Sequence, residues 1–352
     1  MKFKSFKRFL IEGGRVFKGQ INVGSIPQNF VQPTLKEYFI KLKELFPQHS
    51  DLFNTANFQL LGSVGKKDTP SGDIDIAIDA KKLFGDPKAL GEDAAKILPT
   101  WNLNVEEFEN MAAGYEKRAR SVSGKANARQ KAFVVLLSKY INDNGEGLIV
   151  SEPKKAEAGA LFTAFNQFDE NGEQTSKHVQ IDINIGNLDW LVFAYYSDRY
   201  EKPNVKGLHR TQFMLAMFST KGYTFSHAEG VKSKETGEIV AHTSKEAIDL
   251  LNELYGTKIT PELMQNFHKL FAYLTDALTS SGKTAELHAI YDTYLKIFDP
   301  YRSVDIPDEL QDYWKKNKER LGLTGKNLPK DSELVKTLTP EEEKVRQEWS
   351  DQ

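Results

Sequence analysis

The sequence predicts an α/β protein of the α+β kind, with strands in the first half of the chain and helices dominating the second. Three observations predict it. Asp73-Ile74-Asp75-Ile76-Ala77-Ile78-Asp79 alternates with period two, the mark of a strand with one buried face. Residues 160–167 and 178–186, ALFTAFNQ and HVQIDINIG, flank a turn containing Asn171-Gly172 and read as a hairpin. From about residue 208 the pattern becomes helical, in FMLAMF, KEAIDLLNELYG, LMQNFHKLFAYLTDAL and AELHAIYDTYLKIF.

Each element has a local reason. Pro33 suits the first turn of a helix. Leu35, Phe39, Leu42 and Phe46 follow at helical spacing, and Pro47 ends the pattern. FQLLGS (58–63) is an apolar strand running into Gly62-Ser63, and the polar loop VGKKDTPSG leads to the Asp73–Asp79 strand. Residues 81–150 read mostly as helices and loops, with AFVVLLSKYI (132–141) a helix. The last 50 residues are charged, with Pro307, Pro329 and Pro340 as breakers, and read as short peripheral helices and a loosely held tail. No internal repeat is evident.

Composition bounds the chemistry. The chain has 352 residues, 39% hydrophobic and 27% charged, enough for a sizeable core. Its 47 basic and 49 acidic residues give a net charge of −2, so any nucleic-acid-binding surface must be local. There is no cysteine, which excludes disulfides, thiolate zinc sites and cysteine nucleophiles. No apolar run approaches the roughly 18 residues of a membrane span, so no membrane partner is expected. The seven histidines are scattered without metal-ligand spacing.

The strongest feature is Gly62-Ser63, eight residues, then Gly72-Asp73-Ile74-Asp75, followed much later by Asp182 in VQIDINIG. Asp73 and Asp75 are i and i+2 on a strand and share a face. Asp182 joins them if its strand is a neighbour in the same sheet. Hard cations want several carboxylates on a rigid platform. In nucleotidyl transfer, two Mg2+ ions can stabilise the oxygen attacking the α-phosphate and the pyrophosphate oxygen leaving it. Gly62-Ser63 at a strand end can bring backbone N–H groups and a hydroxyl against a triphosphate. Lys66 and Lys67 can neutralise phosphate charge. Asp79 continues the alternation at the strand exit and reads as solvated.

This constellation resembles the DNA polymerase β nucleotidyltransferase superfamily, and within it the family X polymerases, over roughly 57–80 and 178–256. QIDINIGNLDWLVFAYYSD resembles the family's third-aspartate strand and following helix. HRTQFMLAMFSTKGYTFSHAEGV and TGEIVAHTSKEAIDLLNELYG resemble the end of the palm and the thumb. The resemblance implies a palm with a mixed sheet, a helical insertion and a helical C-terminal region. It implies that Asp73, Asp75 and Asp182 hold two Mg2+ ions, with Mn2+ as a substitute, and that Asp182 sits nearest the attacking hydroxyl. Ser63 and Lys66 would grip the β- and γ-phosphates, with Gly62 and Gly72 backing the triphosphate. Tyr195 and Tyr196 fall near the family's aromatic sugar-facing pair. His209 and Arg210 fall where polar residues approach the base or primer. The chain also departs from the pattern. Gly65-Lys66 stands where the family usually has arginines, Gln180 stands where an arginine often precedes the third aspartate, and with only about 55 residues before the motif the family's lyase domain is not expected. The implied organisation is a palm over 13–200 with its insertion at about 81–177, a thumb-like helical region over 201–300, and a charged tail over 301–352.

Two further segments carry expectations. KRARSVSGKANARQK (117–131) has six basic residues and no acid. It reads either as a solvated loop or as a mobile contact to a nucleic-acid backbone, through Arg118, Arg120, Lys125 and Arg129, or to the triphosphate. The basic N-terminus MKFKSFKRFLIE, with Phe3, Phe6 and Leu10 near one helical face, resembles the capsid-targeting peptide of large tailed bacteriophages. That resemblance implies trimming by a prohead protease between Glu12 and Gly13, packaging in the virion head with the capsid and DNA as partners, and delivery into the host cytoplasm. An ordinary N-terminal helix is the other reading of residues 1–12.

The expectation is therefore a Mg2+-dependent nucleotidyltransferase that moves a nucleotide from an NTP or dNTP to a nucleic-acid 3′ end, DNA before RNA. One alternative is nucleotide addition to a host protein or tRNA. Another is an inactive packaged protein that binds nucleic acid.

Overall fold

A computed structural model describes residues 16–17, 21–62, 64–66, 68–85, 89–119, 127–199, 207–298 and 306–323. Two hydrophobic cores organise them, one over the first half and one over the second, meeting at a short helix beside the central strands.

The first core lies under a five-stranded mixed sheet. Its strands are β1 (Phe58–Leu60), β2 (Asp73–Asp79), β3 (Ile149–Ser151), β4 (Ala160–Phe168) and β5 (Gln174–Gly186), in the order β1-β2-β5-β4-β3. Only β2 and β5 run parallel; the other three pairs are antiparallel. The parallel pair needs a long crossover. Among the described residues, the stretch between its strands supplies five helices: α2 (Ala80–Phe84), α3 (Ala89–Glu92), α4 (Ala94–Thr100), α5 (Val105–Arg118) and α6 (Ala128–Asn144). It also supplies β3 and β4, so the expected insertion is helical only as far as Asn144.

The alternation of β2 decides which face is which. Ile74, Ile76 and Ile78 are buried in the first core, beside Val179, Ile181, Ile183 and Ile185 of β5. That core is closed by α1 (Val31–Leu45), whose buried stripe includes Val31, Leu35, Phe39 and Leu42. The Tyr38 hydroxyl, also buried, hydrogen-bonds Thr163 Oγ1 of β4 at 2.9 Å. The opposite face carries Asp73, Asp75, Gln180, Asp182 and Asn184.

Helix α7 (Leu188–Ala194) is the seam between the cores. Leu191 packs on Ala77 and Leu61 of the sheet side, while Trp190 and Phe193 join the second core. Three hydrogen bonds fasten it to the second half. Trp190 Nε1 donates to the Ser226 carbonyl at 2.9 Å, and Asp189 accepts from the backbone N–H and hydroxyl of Ser244 at 2.7 and 3.0 Å.

Helix α8 (Gly207–Thr220) runs through the middle of the second core, with every residue from His209 to Phe218 buried. Around it lie α9 (Ser244–Tyr255), α10 (Pro261–Met264), α11 (Phe267–Ser280), α12 (Thr284–Phe298) and α13 (Asp308–Asn317). Here the structure corrects the purely helical expectation. β6 (Tyr223–Ser226), β7 (Gly230–Ser233) and β8 (Ile239–Ala241) form a small antiparallel sheet. Gly230 makes it feasible: φ is +116°, and a Cβ would fall 2.2 Å from the Ala241 carbonyl oxygen. Of the expected short peripheral helices and tail beyond residue 300, the described part is the helix Asp308–Asn317 and its flanks. Ile306, Leu310 and Leu323 are buried in the second core, so at least residues 306–323 belong to the fold. Residues 1–12, with the expected cleavage at Glu12 and Gly13, lie outside the described residues.

Candidate active site

The site is built on the β2–β5 pair. Its parallel register sets Asp73 beside Gln180 and Asp75 directly beside Asp182. The three aspartates each bring a carboxylate oxygen within 4.8 Å of the others, and each is partly accessible to solvent. The crowding has an electrostatic signature. Burial, and then the Asp73 charge, push the Asp75 carboxyl up to about 8, against a smaller opposing hydrogen bond from Asn184. Burial, with Asp75 and Asp73 behind it, pushes Asp182 well above the usual carboxylate range, with Gln180 opposing. Three carboxylates converging on one sheet face are a ligand set for a hard divalent cation. The donor set therefore fits Mg2+.

Gly62 arrives from the β1 side. Leu61 N–H donates to the Asp75 carbonyl at 2.9 Å, and Gly62 N–H to the Tyr195 carbonyl at 3.3 Å. Gly62 also forms an isolated parallel bridge with Tyr196. Its φ is +61°, and a Cβ there would meet Asp75 Oδ2 at 3.4 Å. Glycine thus lets the chain turn in the left-handed region against a carboxylate. Ser63, expected to grip phosphate, lies outside the described residues, as does Lys67. Gly72 is exposed immediately ahead of Asp73.

Lys66 is described, and its ammonium is engaged. It donates to the Ser197 carbonyl at 2.6 Å and lies 4.2 Å from the centre of the Tyr196 ring. Burial lowers its pKa, Asp198 opposes, and Arg210 adds to the lowering. Tyr195 is the aromatic that faces the carboxylates. Burial, then Asp75 and Asp182, raise its hydroxyl well above the ordinary value. Its ring meets His227, centroids 5.2 Å apart, from the turn between β6 and β7. Burial and then Arg210 push His227 down to about 3, so its ring is neutral.

Arg210 and His209 are corrections. Both are fully buried, not at the surface where they would meet base or primer. Arg210 Nε donates to the Met264 carbonyl, and its guanidinium lies 5.0 Å from the Phe193 ring and 5.7 Å from Tyr196. It is a cation of the second core whose far side approaches the site through Tyr196.

The basic run divides. Arg118 is exposed at the end of α5, its Nε donating to the Gly114 carbonyl. Arg120 and Lys125 lie outside the described residues. Arg129 is a correction: it sits in the first turn of α6 and pairs through both terminal nitrogens with Glu109 at 3.0 and 2.8 Å, with Glu116 3.7 Å away. Lys131 pairs with Glu157 at 2.9 Å. The acids missing from the run in sequence are supplied by other elements in space. Asp79, at the strand exit, caps α2, accepting from Lys81 N–H at 2.8 Å.

Two residues with no motif of their own belong to the site. Gln28 spans the loop between Gly62 and Asp73. Its amide nitrogen donates to the Thr69 carbonyl at 2.8 Å and Ser71 Oγ at 2.9 Å, and its oxygen accepts from Gly65 N–H at 2.8 Å. Gln180 donates to both oxygens of Asp182 at 2.8 and 3.1 Å. Gln180 has two signals in the sequence, its i−2 spacing from Asp182, which puts both on one strand face, and its place as a departure from the motif the strand resembles; Gln28 has none.

Comparison with models of known protein families and with curated proteins finds no match for this chain. Among the described residues no helix is long and apolar enough to cross a membrane. What fold and site define together is a mixed α/β protein whose central parallel strand pair carries a cluster of three aspartates able to hold a metal ion.

Proposed function

We propose that this protein is a Mg2+-dependent nucleotidyltransferase of the polymerase β type, which transfers a nucleotide from an NTP or dNTP to a hydroxyl, foremost a nucleic-acid 3′ end. One observation carries the reading: Asp73, Asp75 and Asp182 converge within 4.8 Å on one sheet face, and Gly62 turns against Asp75 at the end of the neighbouring strand. Gly62, the Asp-x-Asp pair and the distant aspartate of the sequence thus meet at one locus in space.

The three carboxylates would hold the cations, which supply stabilisation of charge on the attacking and leaving oxygens. Asp182, neighbour to Asp75 across the strand pair, would stand nearest the acceptor hydroxyl and take its proton. The turn at Gly62 and the loop clamped by Gln28 would receive the triphosphate, with pyrophosphate leaving on that side. Tyr195, wedged between the carboxylates and the neutral His227 ring, would wall the nucleoside end. Lys66 would have to leave the Ser197 carbonyl to reach phosphate.

Incubation with labelled NTPs or dNTPs, Mg2+ or Mn2+, and primed DNA, RNA, tRNA or lysate protein tests the reading. Incorporation is expected into a polynucleotide 3′ end and is lost in Asp73→Asn and Asp182→Asn. Label in tRNA or protein instead would move the acceptor to the alternative class. No label anywhere, or label indifferent to both substitutions, would sink the assignment.

A further inference from the structure

We propose that Gln180 is a positioning residue for Asp182, oriented in turn by the backbone of Val16, so that the Val16-Phe17 stretch ahead of α1 bears on cation binding at the three aspartates. The proposal rests on the cation-binding reading above.

Gln180 is 2% exposed and stands on the site face of β5, beside Asp73 across the parallel pair. A buried side-chain amide must place one acceptor and one donor group correctly. Here both ends are specified. Oε1 accepts from Val16 N–H at 3.2 Å, while Nε2 donates to Asp182 Oδ1 at 2.8 Å and Oδ2 at 3.1 Å. Flipping the amide would set its oxygen against the carboxylate and its NH2 against an N–H, repelling at both ends. The Val16 and Asp182 contacts therefore fix the amide together, and the amide held at its far end by Val16 fixes how the Asp182 carboxyl is turned. The segment is anchored at this point, since Phe17 is fully buried.

The physical consequence is preorganisation. A carboxylate whose rotation is already fixed loses less freedom on taking up a cation, and partners of this kind typically carry about 10–100-fold in metal affinity. An amide achieves this without adding a positive charge beside the ligand set, which an arginine at this position would do. No local sequence pattern announces the link, because Val16 and Gln180 are joined only through tertiary structure.

Mn2+ binding to the full-length protein, followed by the electron paramagnetic resonance of the free aqueous ion without nucleotide or acceptor, tests it. Asp75→Asn is expected to abolish binding. Gln180→Met, which keeps length but not the amide, is expected to weaken it about 10–100-fold. Val16→Pro removes the one N–H and is expected to weaken binding in the same direction, whereas Val16→Ala keeps wild-type affinity. Far-UV circular dichroism checks that each variant is folded. If Gln180→Met does not fold, the Val16→Pro and Val16→Ala pair decides alone. Wild-type affinity in both Gln180→Met and Val16→Pro, with Asp75→Asn still deficient, would overturn the proposal and leave the cation site standing. Weakening by Gln180→Met with none by Val16→Pro would overturn the role of the N-terminal segment. Wild-type binding by Asp75→Asn would overturn the cation site and the proposal together.

Discussion

Asp75 and Asp182 lie side by side in register on the parallel strand pair of the sheet, with Asp73 completing the cluster and its charge raising both of the other carboxyls. Without a cation this arrangement is a cost to the fold, and several measurable properties follow from it.

The first is pH dependence without metal. The Asp75 carboxyl is pushed up to about 8 by burial and by Asp73, so the folded state holds its proton more tightly than the unfolded chain does. Its contribution is fully present below about pH 4, the ordinary carboxylate value, and is lost as pH rises through about 8. In chelator, wild-type stability is expected to fall across that window. Asp75→Asn removes that term and is expected to gain about 1–3 kcal/mol over wild type at the alkaline end, the part-exposed carboxyl recovering only some of its shift. Urea unfolding of both proteins across the pH range checks this, and saturating Mg2+ should close the gap. Parallel pH profiles for the two would refute it.

Gly62 should tolerate no side chain. Its φ of +61° costs an L-residue about 1–2 kcal/mol, and the new Cβ would press on Asp75 Oδ2. Gly62→Ala is expected to lose about that much stability and a larger share of nucleotide incorporation. Chemical denaturation beside the incorporation assay separates the two losses.

Gln28 should act on nucleotide binding more than on turnover. Its three hydrogen bonds fasten the loop from Gly65 to Ser71, at about 1 kcal/mol net apiece. Gln28→Ala is expected to raise KM for the nucleotide about 10-fold, with a smaller effect on kcat. Steady-state kinetics read the split, and a kcat effect alone would contradict the clamp.

Two arginines grouped by the sequence reading should now behave differently. Arg210→Ala is expected to destabilise the fold by about 2–3 kcal/mol, since it empties a buried position packed on Phe193 and hydrogen-bonded to Met264. Arg118→Glu, at an exposed helix end, is expected to change stability by less than about 0.5 kcal/mol and to weaken polynucleotide binding with a shallower salt slope. Thermal melts and salt-dependent binding isotherms distinguish them.

The local elements were largely legible. The Asp73–Asp79 alternation is β2, the Asn171-Gly172 turn joins β4 and β5, and the apolar 132–141 stretch is helical within α6. Period, turn chemistry and breakers act over a few residues, so a few residues suffice to read them. The strands of residues 223–241 were missed because each is only three or four residues long, between strong helical signals.

By itself, then, the sequence determined the chemistry on offer: no thiolates, an Asp-x-Asp on one strand face, a third aspartate on another strand, and a glycine at a strand end. Tertiary structure alone decided that Asp182 pairs with Asp75 in parallel register, that Gln28 and Gln180 tie distant segments to the site, and that Arg129 and Arg210 are spoken for by Glu109 and by the second core. The reason is range. An alternation reports which way a side chain points, but its partner is set by how elements far apart in the chain dock, and no local period encodes that.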